Sequence, residues 1–450
     1  MYFQNRRLKK FNAAYVGLVN PWDNNSVNAN GDYPFLQNNC LNWNEAYFAY
    51  TKKTIEKAAA YDGMGVNGRY DFALGTTDLA RQWGQKIGSY FKDYDNIIYA
   101  LGSDRDADLD GVGLHRAVAE GIGQGETGQP LGWNQQNSAW DQVMITYHPG
   151  GGLNNSSFWF HTDPWLDFNS IQLYSDTQQT YIYSEIREDY NKTPIKPTWI
   201  IESAYETRTS SERGGVPDGD PIIDDYWVRY AAYTSVFAGA FGASYGHHHN
   251  YYFPSDWQSK LDTVGADDMA HLYSLLTNRQ LPFEKLEANQ ELITSPIGTK
   301  FETRTALLAE DGSFAYVYLP RGGEVTLDLA LLSSASNKVL AQWFNPREGT
   351  TADIDTYSVD GEKTFHAPGS YRKRNDYLLI LRDENGLLPI SYLDGDVNRD
   401  GQINQVDGKM VLENYGQEFS NWPGNFFEPD GNSYVNGFDF GYVVKDWSKV

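Results

Sequence analysis

The sequence predicts an α/β protein whose largest part is a (β/α)8-type TIM barrel that lacks its first strand. Up to about residue 280, short apolar runs alternate with helical segments. Strands that are apolar on both faces and separated by helices are typical of a parallel sheet covered by helices. Seven such runs fit an eight-stranded barrel with one strand missing. A doubly wound sheet is the alternative, but no Gly-rich phosphate loop follows any of these runs.

The predicted elements of the barrel follow one another in chain order. Strands are expected at 12–19, 63–72, 96–104, 142–150, 168–174, 197–206 and 241–249. Helices are expected at 44–60, 78–92, 109–122, 179–190, 224–238 and 266–279. We assign residues 1–281 to this catalytic domain, because the pattern of the sequence changes beyond them.

The second region, which we assign to residues 282–386, has the pattern of an antiparallel β-sandwich. Alternating segments such as "SFAYVYLP" and "DYLLILRD" are separated by turns rich in Gly, Asn and Asp. It offers no cluster of catalytic residue types. A packing role and a carbohydrate-binding role both remain open for this accessory domain.

The third region, residues 394–450, contains two segments with the spacing of calcium loops. Oxygen-bearing side chains at loop positions 1, 3, 5, 9 and 12, with a backbone carbonyl at position 7, suit a hard cation. The first set is Asp396, Asn398, Asp400, Gln402, Asn404 and Asp407, and the second is Glu428, Asp430, Asn432, Tyr434, Asn436 and Asp439. A helical stretch follows each loop. The sequence therefore predicts a small α-helical module with structural Ca²⁺, against the alternative of plain Asp/Asn-rich turns.

Two predicted strands of the barrel end in carboxylates. The apolar run 97–101 is followed by Gly102, Ser103 and Asp104, and "PTWIIESAYE" ends its own apolar run at Glu202. In an α/β barrel the C-terminal ends of the strands form one face, and that face carries the chemistry. Two carboxylates there can break a glycosidic bond. One protonates the leaving oxygen, and the other attacks the anomeric carbon or activates water.

The composition excludes several kinds of partner. Lys and Arg number 36 and Asp and Glu number 59, so the net charge of −23 repels nucleic acids and anionic membranes. The sequence contains no run of about 18 apolar residues, the length that a helix needs to span a bilayer. Cys40 is the single cysteine, so no intrachain disulfide is possible. No cofactor is expected for catalysis, and a carbohydrate is the expected substrate.

Several long motifs, taken in order, carry a resemblance to a known family. "NANGDYPF", "ALGSDRD", "YHPGG", "PTWIIESAYE" and "YAAYTSVFAGAFGASYGHHH" together resemble the apiosidase-like catalytic domain of glycoside hydrolase family 140. The resemblance extends to about residue 384, because the β-sandwich is similar to the family's C-terminal domain, once described as collagen-binding. The paired calcium loops resemble a type I dockerin module, which often attaches extracellular enzymes to a cohesin-bearing partner.

The resemblance implies a retaining glycosidase with two catalytic carboxylates. The acid/base aspartate of the family's Gly-Gly-Asp motif falls on Asp104, and the nucleophile of its Glu-Pro-x-Tyr-Glu motif falls on Glu202. Ser103 and Ser203 replace the second Gly and the Pro, which affects the loops that set substrate fit. We expect Arg105 to turn away from Asp104, because an inward guanidinium would lower the pKa of the acid. The expected substrate is a side chain of a plant or algal cell-wall polysaccharide.

Other polar and aromatic residues near the strand ends are candidates for binding sugar. His148 could contact a sugar hydroxyl or the nucleophile, or be structural. Trp159 could form an aromatic platform or pack in the core, and Asn30 and Asp32 could be plain turn residues. The substrate-binding candidates are Asn30, Asp32, His148, Trp159, His161, Tyr174, Tyr205, Glu206, Tyr245 and His248, the last of which matches a histidine of the family.

The N-terminus departs most from the family pattern, which begins with a strand and most of a helix before the segment matching "YFQNRRLKKFNAAYVGLV". Met1 falls inside that helix. We therefore expect that the first barrel strand and an export signal are missing, and that the protein works outside the cell or at its surface. The alternative is a non-catalytic carbohydrate-binding or scaffold-attached component derived from a glycosidase barrel. The absence of either Asp104 or Glu202 from the sequence would have favoured this non-catalytic alternative.

Overall fold

The computed structural model describes residues 1–19, 27–36, 40–59, 63–67, 75–102, 104–152, 154–251, 253–277, 281, 283–384 and 409. Within these ranges the chain forms a mixed α/β part followed by an antiparallel β-sheet part. No helix in them is long and apolar enough to cross a membrane. The predicted calcium ligands all lie outside the described residues: Asp396, Asn398, Asp400, Gln402, Asn404, Asp407, Glu428, Asp430, Asn432, Tyr434, Asn436 and Asp439.

Parallel strands form the centre of the N-terminal part. In chain order they are β1 (Ala13–Gly17), β2 (Gly63–Asn67), β3 (Ile97–Leu101), β4 (Ile145–Tyr147), β5 (Asn169–Gln172), β6 (Thr198–Glu202), β7 (Tyr205–Glu206), β8 (Gly242–Ala243) and β9 (Gly246–His247). Strands β1 to β4 form one parallel sheet in that order, and β5, β6 and β8 form another. The predicted strands 197–206 and 241–249 are each interrupted, and their second halves form the short β7–β9 pair.

Hydrogen bonds join the two larger parallel sheets between β4 and β5. The backbone N–H of Asp167 donates to the carbonyl of Ile145 (2.9 Å), and the Thr146 hydroxyl donates to the carbonyl of Phe168 (2.8 Å). The strand ends of both sheets are therefore brought together, which is what a site built from several strands requires.

Side chains connect the far end of this strand array, between β1 and β9. The ring of Phe11, just before β1, lies 5.4 Å from that of Tyr245, just before β9. The guanidinium of Arg6 lies 5.5 and 5.7 Å from the centroids of these two rings. No strand pair joins β1 to β8 or β9 within the described ranges. Closure of a barrel here, and the missing strand, stay predictions.

Helices connect successive strands, as the alternation of the sequence predicts. Their bounds are α1 (Tyr2–Leu8), α2 (Glu45–Ala59), α3 (Thr77–Phe91), α4 (Ala107–Asp110), α5 (Val112–Thr127), α6 (Ser156–Phe160), α7 (Ile182–Tyr190), α8 (Asp225–Phe237) and α9 (Val264–Leu276). The backbones of α3 and α5 nearly touch, because a Cβ at Gly84 would lie 2.3 Å from the carbonyl oxygen of Val118. Only glycine permits that approach.

The C-terminal part is an antiparallel β-sandwich, as predicted. Its strands are β10 (Leu286–Ala288), β11 (Thr305–Ala309), β12 (Phe314–Leu319), β13 (Glu324–Asp328), β14 (Lys338–Asn345), β15 (Thr350–Ser358), β16 (Glu362–His366) and β17 (Tyr377–Asp383). One sheet has the order β10-β11-β12-β17-β14-β15, and β13 pairs with β16. Strand β12 is buried on both faces: Tyr316 and Tyr318 pack towards α8, whereas Val317 and Leu319 pack in the core of the sandwich.

A buried ion network fixes the sandwich on α8. The Arg229 side chain is fully buried, and its Nε donates to Asp376 Oδ2 (3.1 Å) while its Nη1 donates to Asp268 (2.5 Å). Asp376 also accepts from Arg347 (3.2 Å). The ring of Tyr318 lies 5.2 Å from that of Tyr233 on α8. Removing one partner of a buried pair is strongly destabilising, so the two parts are packed as one unit at this interface.

Lys409 is the residue of the predicted calcium module that the structure describes. Its ammonium is 1% exposed and donates to the carbonyl of Val143 (2.7 Å) and to Asp167 Oδ1 (2.5 Å). Asp167 also accepts from the N–H of Ile145 at the start of β4. Lys409 therefore binds where β4 and β5 begin, at the opposite ends of the strands from Asp104 and Glu202.

Candidate active site

Asp104 lies at the C-terminal end of β3, after a sharp turn of the backbone. Gly102 has a φ of 92°, and a Cβ there would lie 2.4 Å from the carbonyl oxygen of His148 and 2.7 Å from the ring of Tyr147. Glycine alone meets both the conformational and the steric requirement. Asp104 has a φ of 59°, a left-handed conformation that Asp tolerates better than most residues. The buried strand thus ends in a turn that presents a carboxylate.

Gln172 brings the two predicted carboxylates together. In the register of β5 and β6 it pairs with Glu202, and the next residue, Leu173, donates its N–H to the carbonyl of Glu202 (2.9 Å). The side-chain amide of Gln172 donates to Asp104 Oδ1 (2.7 Å) and is 2% exposed as a residue. Because the Gln172 backbone lies beside Glu202 and its side chain reaches Asp104, both carboxylates belong to one site.

The Glu202 carboxylate lies beside His148 and Tyr205, and Tyr15 contacts the far side of the histidine ring. His148 Nε2 lies 3.1 Å from Glu202 Oε2, although its N–H is not aligned on that oxygen, and His148 Nδ1 lies 2.7 Å from the hydroxyl of Tyr15. A carboxylate can only accept, so the tautomer that suits both contacts carries its proton on Nε2. Burial, the charge of Glu202 and a hydrogen bond to it raise the pKa of Tyr205 well above its usual value. Tyr205 is therefore a neutral donor to the carboxylate.

Asp104 is the carboxyl group of the pair that tends to hold a proton. Burial first, and then the charge of Glu202, raise its pKa. His148 whenever it is protonated, the hydrogen bond from Gln172 and the charge of Arg213 act in the opposite direction without reversing the shift. A carboxyl group whose pKa is raised by burial and by a neighbouring carboxylate suits the role of a proton donor.

Arg105 turns away from Asp104, as expected. Its guanidinium forms an ion pair with Asp110 at the end of α4, and its carbonyl accepts from the hydroxyl of Tyr147 (2.6 Å). The residue therefore fixes the turn after β3 and leaves the proton on Asp104 undisturbed.

Glu206 and Tyr245, predicted to bind substrate, are engaged with each other and with the start of α9. The Glu206 carboxylate is buried and accepts from Tyr245, from the hydroxyl of Thr263 (2.7 Å) and from the N–H of Gly265 (3.0 Å). It thereby caps the N-terminus of α9, where the helix dipole favours a negative charge. Burial and the charge of Glu206 raise the pKa of Tyr245, so its hydroxyl stays a donor to that cap.

Trp159 and His161 also pack inside the protein. The ring of Trp159 lies 6.0 Å from that of Tyr147, within the core cluster of this part of the chain. Both ring nitrogens of His161 are engaged, one with Asn169 (3.2 Å) and one with the carbonyl of Pro194 (2.8 Å). Of the two readings left open for Trp159, the structure favours core packing.

Asn30 and Asp32 lie in a turn organised by Asn28. The side-chain oxygen of Asn28 accepts from the N–H groups of Asn30 (2.9 Å) and Asp32 (3.0 Å), and its amide donates to the Asp32 carboxylate (3.2 Å). This is the turn chemistry that the sequence offers as the alternative to sugar binding. No described contact connects either residue with Asp104 or Glu202.

Tyr174 and His248 each contact a charged residue in the segment that follows β7. The guanidinium of Arg208 lies 5.4 Å from the ring centroid of Tyr174 and donates to its carbonyl, and the charge of Glu202 also acts on this arginine. His248 Nε2 lies 2.8 Å from Glu212 Oε1. His248 and Tyr205 both face the exposed ring of Tyr251, each at 5.8 Å between centroids.

Sequence reasoning misses Tyr15, Gln172, Arg208 and Tyr251. A signal exists for the first two, because Tyr15 is a polar group in the apolar run "NAAYVGLV", and Gln172 lies in "FNSIQLY", a predicted interior strand that carries several polar side chains. Such a group needs a buried partner. The sequence gives no comparable signal for Arg208 and Tyr251, which lie in loops. Among the described residues, no group of three or more His, Cys, Asp and Glu side chains could hold a metal ion.

A pair of carboxylates at the C-terminal ends of two parallel strands suits the cleavage of a glycosidic bond, and comparison with known proteins agrees. Residues 1–283, more than half of the chain, match the family described as apiosidase-like, catalytic domain. The chain belongs to that family, and the protein is a glycosidase. Residues 288–382 match a second family, described as a collagen-binding-like domain of a collagenase.

Two solved structures share this fold over both parts of the chain. One, described as a glycoside hydrolase, is 23% identical with a TM-score of 0.73, and the match covers 85% of this chain and 88% of the other. The second, a glycoside hydrolase family 5 protein from Bacteroides vulgatus, is 22% identical with a TM-score of 0.72, and the match covers 86% and 88%. No curated protein matches the sequence.

Proposed function

We propose that the protein is a retaining glycosidase of the family 140 type that removes side chains from plant or algal cell-wall polysaccharide. Glu202 is the nucleophile and Asp104 is the acid/base. The observation that carries this proposal is the position of Gln172, whose backbone pairs with Glu202 and whose amide donates to Asp104 (2.7 Å). Retention requires the two carboxyl groups to lie about 5–5.5 Å apart.

In the first half of the reaction, Asp104 gives its proton to the glycosidic oxygen while Glu202 attacks the anomeric carbon. The bond from that carbon to the leaving oxygen breaks, and an ester bond to Glu202 forms. Burial of Asp104 supports this role, because it raises the pKa and keeps the proton available. The hydroxyl of Tyr205 and the ring of His148 orient the Glu202 carboxylate for attack.

In the second half, Asp104 acts as a base. It takes a proton from water, the water oxygen attacks the anomeric carbon, and the ester bond to Glu202 breaks. The free sugar leaves with its original anomeric configuration, and both carboxyl groups return to their starting states.

The exposed ring of Tyr251 supports sugar binding next to the nucleophile. Tyr251 is 60% exposed although it adjoins Tyr205 and His248. A flat apolar face beside polar groups is suited to stacking on a sugar ring. In this proposal Tyr251 and the His248–Glu212 pair contact the part of the substrate next to the bond that breaks.

The test compares Glu202→Gln with Asp104→Asn on aryl glycosides that have good leaving groups. Glu202→Gln should abolish turnover on every substrate, because no nucleophile remains. Asp104→Asn should keep the first step, since such leaving groups need no protonation, and added azide should then replace water in the second. Proton NMR should show the initial product with the anomeric configuration of the substrate. Substantial activity of Glu202→Gln, or inversion of configuration, would refute the proposal.

No observation in the described residues favours the non-catalytic alternative, a carbohydrate-binding or scaffold-attached component. Both carboxylates are present and belong to one site. A reducing-sugar assay on pectins and hemicelluloses separates the two possibilities directly, because the alternative predicts binding without release of sugar.

We also propose that residues 394–450 form a calcium-dependent, dockerin-like module and that the protein works outside the cell or at its surface, where a cohesin-type partner could hold it. The support is the double loop register in the sequence and the oxygen-only donor set, which suits Ca²⁺. Isothermal titration of the whole chain with Ca²⁺ should show binding that Asp400→Ala and Asp430→Ala each reduce. Absence of any binding would refute the module.

A further inference from the structure

Backbone hydrogen bonds join the beginning and the end of the loop of residues 207–224, which lies between β7 and α8. The N–H of Thr207 donates to the carbonyl of Ile223 (2.8 Å), and the N–H of Ile223 donates to the carbonyl of Arg208 (2.8 Å). The N–H of Ser210 donates to the carbonyl of Pro221 (3.0 Å). The loop thus has a first arm, which begins at Thr207, and a second arm, which ends at Asp224. Because the two arms are hydrogen-bonded to each other, a restraint on one arm also restrains the other.

The first arm of the 207–224 loop forms a wall of the candidate active site. The carbonyl of Gly214 accepts from the N–H of Asp176 (2.7 Å), and Arg208 donates to the carbonyl of Tyr174 and to that of Gly215 (3.1 Å). On the same arm, Glu212 contacts His248 (2.8 Å). Arg213 is close enough to Asp104 for its charge to lower the pKa of that acid.

The second arm carries three aspartates, and each meets a cation of the β-sandwich. Arg321, after β12, donates to Asp218 (2.7 Å). Lys373 and Arg374, before β17, donate to Asp220 (2.8 and 2.9 Å), and Arg374 also donates to Asp224 (2.6 Å). Ion pairs thus connect the accessory domain with the loop that lines the site. They are Arg321–Asp218, Lys373–Asp218, Lys373–Asp220, Arg374–Asp220 and Arg374–Asp224.

These ion pairs share their partners and so form a network. Isolated ion pairs on a protein surface contribute little to stability, whereas a network of several charges contributes more. Burial opposes ionisation of Asp220, but hydrogen bonds from Lys373, Trp227 and Arg374 outweigh it and lower its pKa, so the charge persists. The cations are carried by a domain that the buried Arg229 network fixes on α8. The 207–224 loop is therefore tied to a domain that is itself fixed on α8 by buried ion pairs.

We propose that the β-sandwich is a positioning element of the active site, in which Arg321, Lys373 and Arg374 hold the 207–224 loop against the catalytic carboxylates. The inference rests on the proposed function. It gives the accessory domain a part in catalysis that is separate from packing and from binding polysaccharide by itself. The three cations do not touch the reacting atoms and act through the loop.

The test is the double variant Lys373→Gln/Arg374→Gln in the full chain. The control is Lys338→Gln/Lys363→Gln, which removes the same charge from the same domain at positions without described contacts to the loop. In hydrogen exchange, the amides of residues 207–224 should exchange faster in the test variant than in the control, while those of β12 and β17 stay unchanged. Equal exchange of the loop in both variants would overturn the proposal, whether or not the enzyme turns over a sugar.

A second readout separates positioning of the site from loss of stability. The groups that interact with Asp104 are Glu202, His148, Gln172, Arg213 and the hydroxyl of Tyr205, which stays neutral in both the released and the held state of the loop. Release of the loop takes the Arg213 charge away, so the pKa of Asp104 rises and the alkaline limb of kcat/KM moves to higher pH. The value of kcat/KM should fall roughly 10- to 100-fold, as for a misplaced active-site wall.

The matched variant for this readout is Arg213→Gln. It should move the alkaline limb in the same direction, and adding it to Lys373→Gln/Arg374→Gln should give no further shift. The conservative pair Lys373→Arg/Arg374→Lys should restore the wild-type profile. Shifts that add, or a test variant with the wild-type profile, would overturn the proposal. If the wild-type protein shows no glycosidase activity, the proposed function is refuted, and the hydrogen-exchange result alone decides this inference.

Discussion

Gly102→Ala is the substitution whose effect the structure defines most sharply. A Cβ at this position would lie 2.4 Å from the His148 carbonyl oxygen, in a backbone conformation with a φ of 92°. The left-handed conformation costs about 1–2 kcal/mol for an L-residue. The collision is with backbone, which cannot rotate aside, and overpacking of this kind adds about 1–3 kcal/mol. We expect a loss of roughly 2–5 kcal/mol in the free energy of unfolding.

The same substitution should impair catalysis beyond its effect on stability. Relief of the contact to 3.0 Å requires a movement of about 0.6 Å by either the Asp104 turn or His148. Both flank the reacting atoms, and displacements approaching 1 Å in an active site cost up to about 100-fold in rate. We therefore expect kcat to fall roughly 10- to 100-fold at a temperature where the variant is folded.

The assay is thermal unfolding together with steady-state kinetics, with Gly128→Ala as the control. Gly128 has a φ of 67° at the end of α5, and a Cβ there would meet no atom within 4 Å. The control therefore pays the conformational cost without the collision and should keep its kcat. A Gly102→Ala protein with the kcat of the control would refute the steric reasoning. A midpoint no lower than that of the control would refute it as well.

Four further outcomes are expected. Gln172→Leu removes a hydrogen bond that favours the ionised form of Asp104, so the pKa of that acid should rise and the alkaline limb of the pH–rate profile should move to higher pH. Tyr251→Ala should raise KM several-fold, by about 1 kcal/mol of lost stacking, with a small change in kcat. Asp376→Ala leaves a buried guanidinium short of its partner and should lower the free energy of unfolding by about 3–5 kcal/mol in denaturant titrations. Chelation of Ca²⁺ should lower the helical circular dichroism of the full chain, and less so in Asp400→Ala. A profile, a KM, an unfolding curve or a spectrum that stays at the wild-type value would contradict the corresponding expectation.

The sequence predicts the places of Asp104 and Glu202 for a simple physical reason. An unbroken apolar run of five residues that is too short for a helix and is followed by glycine favours a strand buried on both faces. A charged residue after such a strand is expected where the strand reaches solvent. The seven predicted strands and the alternating strands of the β-sandwich follow from the same periodicity. Both are local properties of the chain.

The role of Glu206 shows where such reasoning stops. Its sequence context is the same as that of Glu202, four residues earlier, yet its carboxylate caps a helix that begins at Val264. The contact depends on chain segments about sixty residues apart, and local pattern carries no information about it. The same holds for Gln172, which joins strands β3, β5 and β6, and for the sandwich cations that meet the 207–224 loop.

The substitution of Ser203 for a family proline has a visible structural counterpart. The Ser203 hydroxyl donates to the carbonyl of Ser244 (3.0 Å), just beyond β8. A proline would stiffen this position through its ring, whereas serine ties it to the neighbouring strand by a hydrogen bond. A side-chain hydrogen bond therefore connects the turn after Glu202 with the neighbouring strand.

Lys409 has a practical consequence for producing shortened versions of the enzyme. A recombinant chain that stops at residue 384 would keep both regions that match known families. It would lack the Lys409 ammonium, which neutralises Asp167. Lys196 is the other cation near that carboxylate, and burial lowers its pKa to about 8, an effect to which the charge of Lys409 contributes. Without Lys409 the pKa of Lys196 should rise, which makes it a partial substitute. Trimming the tail to obtain a simpler protein would thus change the charge balance where β4 and β5 begin, at the opposite ends of the strands from Asp104 and Glu202.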